Sequence, residues 1–163
     1  MEIRIDKYQQ NDLPAMLAIW NNVVNQGLAF PQERPETHET GEKFFAAQSY
    51  CGIAKEKESG QIVGLYILHP NNIGRCGHIC NCSYAVAENA RGQGVGRKLV
   101  IHSLKQGKEL GFTIMQFNAV AADNETANGL YKKLGFNSLG TISGGFRRDP
   151  ATYIDINLYW KAL

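Results

Sequence analysis

The stretch Tyr84-Ala85-Val86-Ala87-Glu88-Asn89-Ala90-Arg91-Gly92-Gln93-Gly94-Val95-Gly96-Arg97-Lys98-Leu99 runs from a strand-like segment, through a turn of the form Arg-x-x-Gly-x-Gly, straight into a helix. Glycine lets the backbone bend through conformations closed to other residues and lets a ligand lie against the main chain. The first N–H groups of a helix lack intrahelical partners and sit at the positive end of its dipole. Strand, glycine turn and helix N-terminus together make a seat for phosphate. The segment therefore predicts a phosphorylated cofactor held mainly by backbone.

The rest of the composition narrows the class. A chain of 163 residues is long enough for one domain with a proper core, and 1–163 reads as one. A net charge of +2 is too small to argue for nucleic acid as a partner. No apolar run approaches the roughly 20 residues of a membrane span. The N-terminus, Met1-Glu2-Ile3-Arg4-Ile5-Asp6, alternates charge with apolar residues and lacks the apolar core of a signal peptide. Cys51, Cys76, Cys80 and Cys82 suggest no disulfide framework, so the expectation is a cytoplasmic protein with reduced thiols.

Outward from the glycine turn, the elements alternate. Residues 2–6 read as a strand. A helix capped at Asn11 or Asp12 carries Leu13, Met16, Leu17, Trp20, Val23 and Val24 at helical spacing and ends at Gly27. A loop with Pro31 and Pro35 leads to a shorter helix over 36–48. Residues 50–56 and 62–68 are strands joined at Glu58-Ser59-Gly60. A long strand over 76–86 precedes the glycine turn, and the helix after it runs from Val95 to Leu110. Ile114 to Val120 is a strand, Asn124 to Leu134 a helix, and strands at 136–143 and 151–160 finish the chain. This order describes an α/β chain, a mixed sheet with helices on both faces.

A second signature lies about thirty residues past the glycine turn: Asn124-Glu125-Thr126-Ala127-Asn128-Gly129-Leu130-Tyr131-Lys132-Lys133-Leu134-Gly135-Phe136. With Arg91-Gly92-Gln93-Gly94-Val95-Gly96 it resembles the GCN5-related N-acetyltransferase superfamily, whose pattern is Arg/Gln-x-x-Gly-x-Gly/Ala followed by Asn-x-x-Ala-x-x-Leu-Tyr-x-x-x-Gly-Phe. The resemblance implies a mostly antiparallel twisted sheet of about seven strands, with the fourth and fifth splayed apart. It implies acetyl-CoA as co-substrate, with the pyrophosphate on the turn formed by Arg91, Gly92, Gln93, Gly94, Val95, Gly96 and Arg97. Backbone of Tyr84, Ala85 and Val86 would pair with the pantetheine arm, Asn124 would contact the arm, and Tyr131 would point at the sulfur. Dimers are common in that superfamily.

A closer likeness concerns the acceptor. Cys76-Gly77-His78-Ile79-Cys80-Asn81, then Phe117-Asn118-Ala119-Val120, then Asn124, resembles fungal acetyltransferases that detoxify the proline analogue azetidine-2-carboxylate. That likeness implies substrate roles for Asn81 and Asn118. The reading is an acetyl-CoA-dependent N-acetyltransferase acting on a small amine, an amino acid or proline analogue, by direct attack in a ternary complex. Acetylation of a protein N-terminus or lysine, and a non-catalytic acetyl-CoA sensor, are the alternatives.

Attack of an amine on a thioester needs a base, an oxyanion donor and an acid for the leaving thiolate. A phenol, with a pKa near 10, is a plausible donor to a thiolate of pKa about 8.5, and Tyr131 fits that role. A backbone N–H near Val86 is the expected oxyanion donor. Glu88, His78, or a water relayed through Asn81 and Asn118 are equal candidates for the base, and positioning alone can supply much of the rate. Arg147 and Arg148 read as a solvated loop rather than a carboxylate site. Cys76, His78, Cys80 and Cys82 mimic a zinc set. On one strand, at about 3.3 Å per residue, the outer two would stand nearly 20 Å apart. No metal is therefore expected, and an acyl-cysteine route through Cys80 or Cys82 has no support in the sequence.

Overall fold

The computed structural model describes residues 1–163. Seven strands form one sheet: β1 (Ile3–Lys7), β2 (Tyr50–Glu56), β3 (Ile62–Pro70), β4 (Ile79–Val86), β5 (Ile114–Ala121), β6 (Asn137–Asp149) and β7 (Thr152–Ala162). Their spatial order is β1-β2-β3-β4-β5-β7-β6. Every neighbouring pair is antiparallel except β4–β5. Four helices cover it: α1 (Leu13–Gln26), α2 (His38–Ala46), α3 (Val95–Glu109) and α4 (Glu125–Lys133).

Period-2 alternation in the central strands divides the core between the two faces. Ile53, Leu65, Ile67 and Ala85 point to α1 and α2, where Leu13, Trp20 and Phe45 are fully buried. Ala54, Tyr66, Leu68, Cys80 and Cys82 point the other way, onto Leu99 and Val100 of α3 and Tyr131 of α4. α1 stops where predicted: Gly27, at φ +64°, takes the left-handed cap and its N–H returns to Val24. No helix is long and apolar enough to cross a membrane.

Several boundaries differ from the sequence reading by a residue or more, and three of the differences have a plain local cause. α2 begins at His38, because Thr37 and Thr40 cap each other reciprocally and leave residue 36 outside the helix. β4 begins at Ile79 rather than 76: Gly74–Cys76 form a short 3-10 turn, so Cys76 and His78 precede the strand. β6 continues to Asp149, bulging between Ile142 and Phe146 across Gly144-Gly145. Arg147 and Arg148 therefore belong to a strand and not to a loop.

The α4 end of the sheet hangs on one buried amide. Asn128, 6% exposed, donates to the Ala121 and Asn124 carbonyls at 2.9 and 2.8 Å. Its Oδ1 accepts from Asn157 Nδ2 at 2.9 Å and from the Tyr159 hydroxyl at 2.7 Å. One side chain thus joins α4 to β5 and β7. Truncation would leave the Asn157 and Tyr159 donors without this acceptor, at about 1–3 kcal/mol each before relaxation, while the Ala121 and Asn124 carbonyls would keep only their backbone N–H bonds. Asn128→Ala is expected to lose about 3 kcal/mol of stability, read as a lowered urea midpoint with unchanged slope.

Candidate functional site

The parallel pairing of β4 with β5 is two residues long, Ile79↔Ile114 and Cys80↔Met115. Beyond it the strands part. β4 goes on pairing with β3 up to Val86, and β5 goes on pairing with β7. β5 is turned away by a bulge at Asn118-Ala119, where Phe117↔Tyr159 and Val120↔Asn157 leave three steps on β5 against two on β7. The predicted splay is present.

The divergence leaves one edge of β4 without a strand. Backbone groups of alternate residues point to opposite neighbours. Ala87 N–H donates to Val63 of β3, and the His78 carbonyl accepts from Thr113 on the β5 side. The N–H and C=O groups of Tyr84 and Val86 therefore face the slot, while those of Ala85 face β3. An extended arm can pair there as an added strand.

At the top of the slot is the glycine turn. Gly92 and Gly94 adopt φ +74° and +79°, and α3 begins immediately after. Arg91 N–H donates to the Glu88 carbonyl and Lys98 N–H to that of Gly94. Between them the N–H groups of Gly92, Gln93, Gly94, Val95, Gly96 and Arg97 have no acceptor in the chain. Six consecutive free donors at a helix N-terminus fit a diphosphate. The turn is tied down by Gln26, at the end of α1. Gln26 donates to Glu88 Oε1 at 2.7 Å and accepts from Arg91 Nη2 at 3.1 Å. Gln26 was not anticipated; it lies 62 and 65 residues away from its partners, and no local pattern marks it.

Tyr131 lies where the two strands diverge, on the α3–α4 face. Its ring centroid is 4.4 Å from that of Phe117 on β5 and 6.5 Å from that of Tyr84 on β4. Burial holds its hydroxyl well above the ordinary phenol range, with no hydrogen bond to offset it. Asn124 caps α4 through Oδ1, accepting from Ala127 N–H at 3.1 Å, which leaves its amide nitrogen free for a ligand.

Asn81 and Asn118 meet on the opposite face, at the closed end of the slot. They do so through Asn71, which follows β3 directly and was not singled out in the sequence. Asn81 Nδ2 donates to Asn71 Oδ1 at 3.4 Å, and Asn71 Nδ2 donates to Asn118 Oδ1 at 3.3 Å. Gln116 Nε2 adds a bond to Asn118 Oδ1 at 3.0 Å. The other candidates are not brought together. Glu88 is engaged by Gln26, and His78 stands exposed beyond the parallel pair, roughly 25 Å along β4 from Val86. Arg147 pairs with Glu33 and Arg148 with Asp123, each at 2.7 Å.

The cysteines divide by burial. Cys80 and Cys82 are in the α3-side core, and burial pushes the Cys80 thiol up to about 11 and the Cys82 thiol higher still. Cys51 is pushed up to about 12, also by burial. A thiol held neutral is a poor nucleophile, which argues against an acyl-cysteine route. Cys76 is exposed, and no three His, Cys, Asp or Glu side chains converge on a metal-sized site.

Comparison with known proteins places this arrangement. Residues 18–136 match the acetyltransferase (GNAT) family. N-acetyltransferase aca1 of Schizosaccharomyces pombe is 27% identical, over 94% of this chain and 81% of that protein. The L-methionine sulfoximine/L-methionine sulfone acetyltransferase of Pseudomonas aeruginosa is 27% identical over 80% of this chain and 78% of its own. Among solved structures, a GCN5-related N-acetyltransferase from Kribbella flavida superposes with a TM-score of 0.90 at 27% identity, covering 99% of this chain and 98% of that one.

The burial pattern yields a direct measurement. In the native protein one thiol, Cys76, is expected to react quickly with a chromogenic disulfide reagent. Cys51, Cys80 and Cys82 are expected to react only in denaturant. A second fast equivalent would contradict the packing described.

Proposed function

This chain belongs to the acetyltransferase (GNAT) family and is an acetyl-CoA-dependent N-acetyltransferase, and we propose that its acceptor is the amine of a small, amino-acid-like molecule, an amino acid or cyclic imino acid. The observation that carries the acceptor reading is the cluster of neutral amides, Asn71, Asn81, Asn118 and Gln116, at the closed end of the slot. Amide N–H groups suit a carboxylate, and the cluster holds no acidic side chain to repel one. Similarity to an enzyme named for methionine sulfoximine and methionine sulfone supports the same class.

In this reading the free N–H groups from Gly92 to Arg97 hold the diphosphate of acetyl-CoA, with Arg91 fixed by Gln26 beside them. Tyr84 and Val86 pair with the pantetheine arm, and Asn124 Nδ2 reaches it from the start of α4. The amine attacks the thioester carbonyl carbon, and the carbon–sulfur bond breaks. A slot-facing N–H of β4, at Val86, meets the carbonyl oxygen as it gains charge, a contribution of roughly 3 kcal/mol. Tyr131 gives its proton to the departing thiolate. The proton lost by the amine returns to Tyr131 through water, so none is gained or lost overall. Glu88 is engaged by Gln26 and His78 lies outside the slot, which favours water on the amide cluster as the immediate acceptor of that proton.

Burial has a consequence for Tyr131. A phenol held above its ordinary range is a weaker acid, yet the same desolvation raises the proton affinity of a thiolate beside it, so the two stay matched. Because its pKa is raised, the hydroxyl keeps its proton as pH climbs through 10. Tyr131→Phe is expected to lower kcat at least about 10-fold with little change in either KM, and by the same factor at pH 7 and pH 9.5. Unchanged turnover at both pH values would remove Tyr131 from the chemistry.

The acceptor class is tested by thiol release with a panel of amines. Proline, azetidine-2-carboxylate, methionine sulfone and other amino acids are expected to be turned over in preference to peptides bearing a free N-terminus or a lysine. Preference for peptides would favour protein acetylation. Firm acetyl-CoA binding with no turnover of any amine would favour a sensor.

A further inference from the structure

We infer that Asn71 is a specificity-determining positioning residue, which turns the amides of Asn81 and Asn118 so that they offer N–H groups to an acceptor's carboxylate. The inference rests on the acceptor reading above and deepens it.

The argument begins at a fixed point. Cys82 N–H faces the slot, where β5 no longer supplies a partner, and it donates to Asn81 Oδ1 at 2.7 Å. That bond to the main chain settles which way the Asn81 amide lies. Only its nitrogen can face Asn71, so Asn71 must present oxygen to it. The same Asn71 oxygen accepts from Asn118 Nδ2, and Asn71 Nδ2 donates back to Asn118 Oδ1. Asn118 Oδ1 also accepts from Gln116.

A carbonyl oxygen has two lone pairs and an amide nitrogen two protons. Counted this way, the oxygens of Asn71 and Asn118 each accept twice and are saturated. Asn71, Asn81 and Asn118 each keep one N–H that no group in the cluster uses. The oxygens of Asn71 and Asn118 are thus spent inside the cluster, and these two residues can show only donors outward. Asn71 is the only member bonded to both Asn81 and Asn118, and it reaches them from another strand end, 10 and 47 residues away. Without Asn71 the Asn118 amide keeps only its bond from Gln116, an amide that no other bond orients, so the two can turn over together and set the Asn118 oxygen against a carboxylate.

The test uses two variants and a matched pair of acceptors, an amino acid turned over by the wild type and its carboxamide. The readout is the ratio of kcat/KM for acid over amide. Asn71→Asp keeps an oxygen for Asn81 and Asn118 but sets a negative charge beside the acceptor. It is expected to cut the ratio at least 10-fold, through KM for the acid, with KM for acetyl-CoA unchanged. Asn71→Ala is expected to cut it about 3-fold or more, and it carries the test if the aspartate variant does not fold. A ratio unmoved in both, or equal losses on acid and amide, would overturn the role of Asn71. A wild type that ignores every amino acid would instead overturn the acceptor reading on which it rests.

Discussion

Two residues of parallel pairing, Ile79 with Ile114 and Cys80 with Met115, hold the two halves of this sheet together. Everything of functional interest follows from that pairing stopping where it does. A continued ladder would consume the slot-facing backbone of Tyr84 and Val86 and close the site. An interior edge that pairs with nothing is costly in a sheet unless it is occupied or covered. Here side chains hold the edges apart. Tyr84, Phe117 and Tyr131 pack as a wedge on the α3–α4 face, and the amide cluster spans the gap on the other.

The two sides of the slot are also anchored to different bodies. β4 is tied to β3, and the glycine turn that follows it is tied to α1 through Gln26. β5 is tied to β7 and α4, with Asn128 bonded to all three. Binding energy from acetyl-CoA would thus be spent bridging two bodies already in place, and not on ordering a loop. This is the arrangement in which positioning contributes most to rate, because little backbone remains to be fixed at the moment of reaction.

The proposed cofactor side is legible in the sequence because its features are carried by backbone. A glycine turn and a helix start are local, so Arg91-Gly92-Gln93-Gly94-Val95-Gly96 could be read without knowing any distant contact. The same holds for helix ends: Gly27 at a left-handed dihedral marks the stop of α1 within one residue. Boundaries failed where the signal was ambiguous. The Cys76-Gly77-His78 stretch resembles a strand by alternation, yet the N–H of Gly77 closes a turn on Gly74. β6 runs on past 143 because Gly144-Gly145 forms a bulge inside a longer strand.

The proposed acceptor side is legible only in part, for a different reason. Asn81 and Asn118 stood out through resemblance, but their partner Asn71 follows Pro70 in what reads as a plain chain reversal, and Gln26 is one more polar residue at a helix end. Side-chain amides carry no local signature, since their meaning depends on what tertiary structure sets against them. An amide presents a donor on one arm and an acceptor on the other, and one anchored bond decides between them. In this chain that bond is Cys82 N–H to Asn81, and Cys82 has a free N–H because β5 has already left. The divergence that opens the slot proposed for the cofactor arm therefore also fixes the polarity of the surface proposed to meet the acceptor.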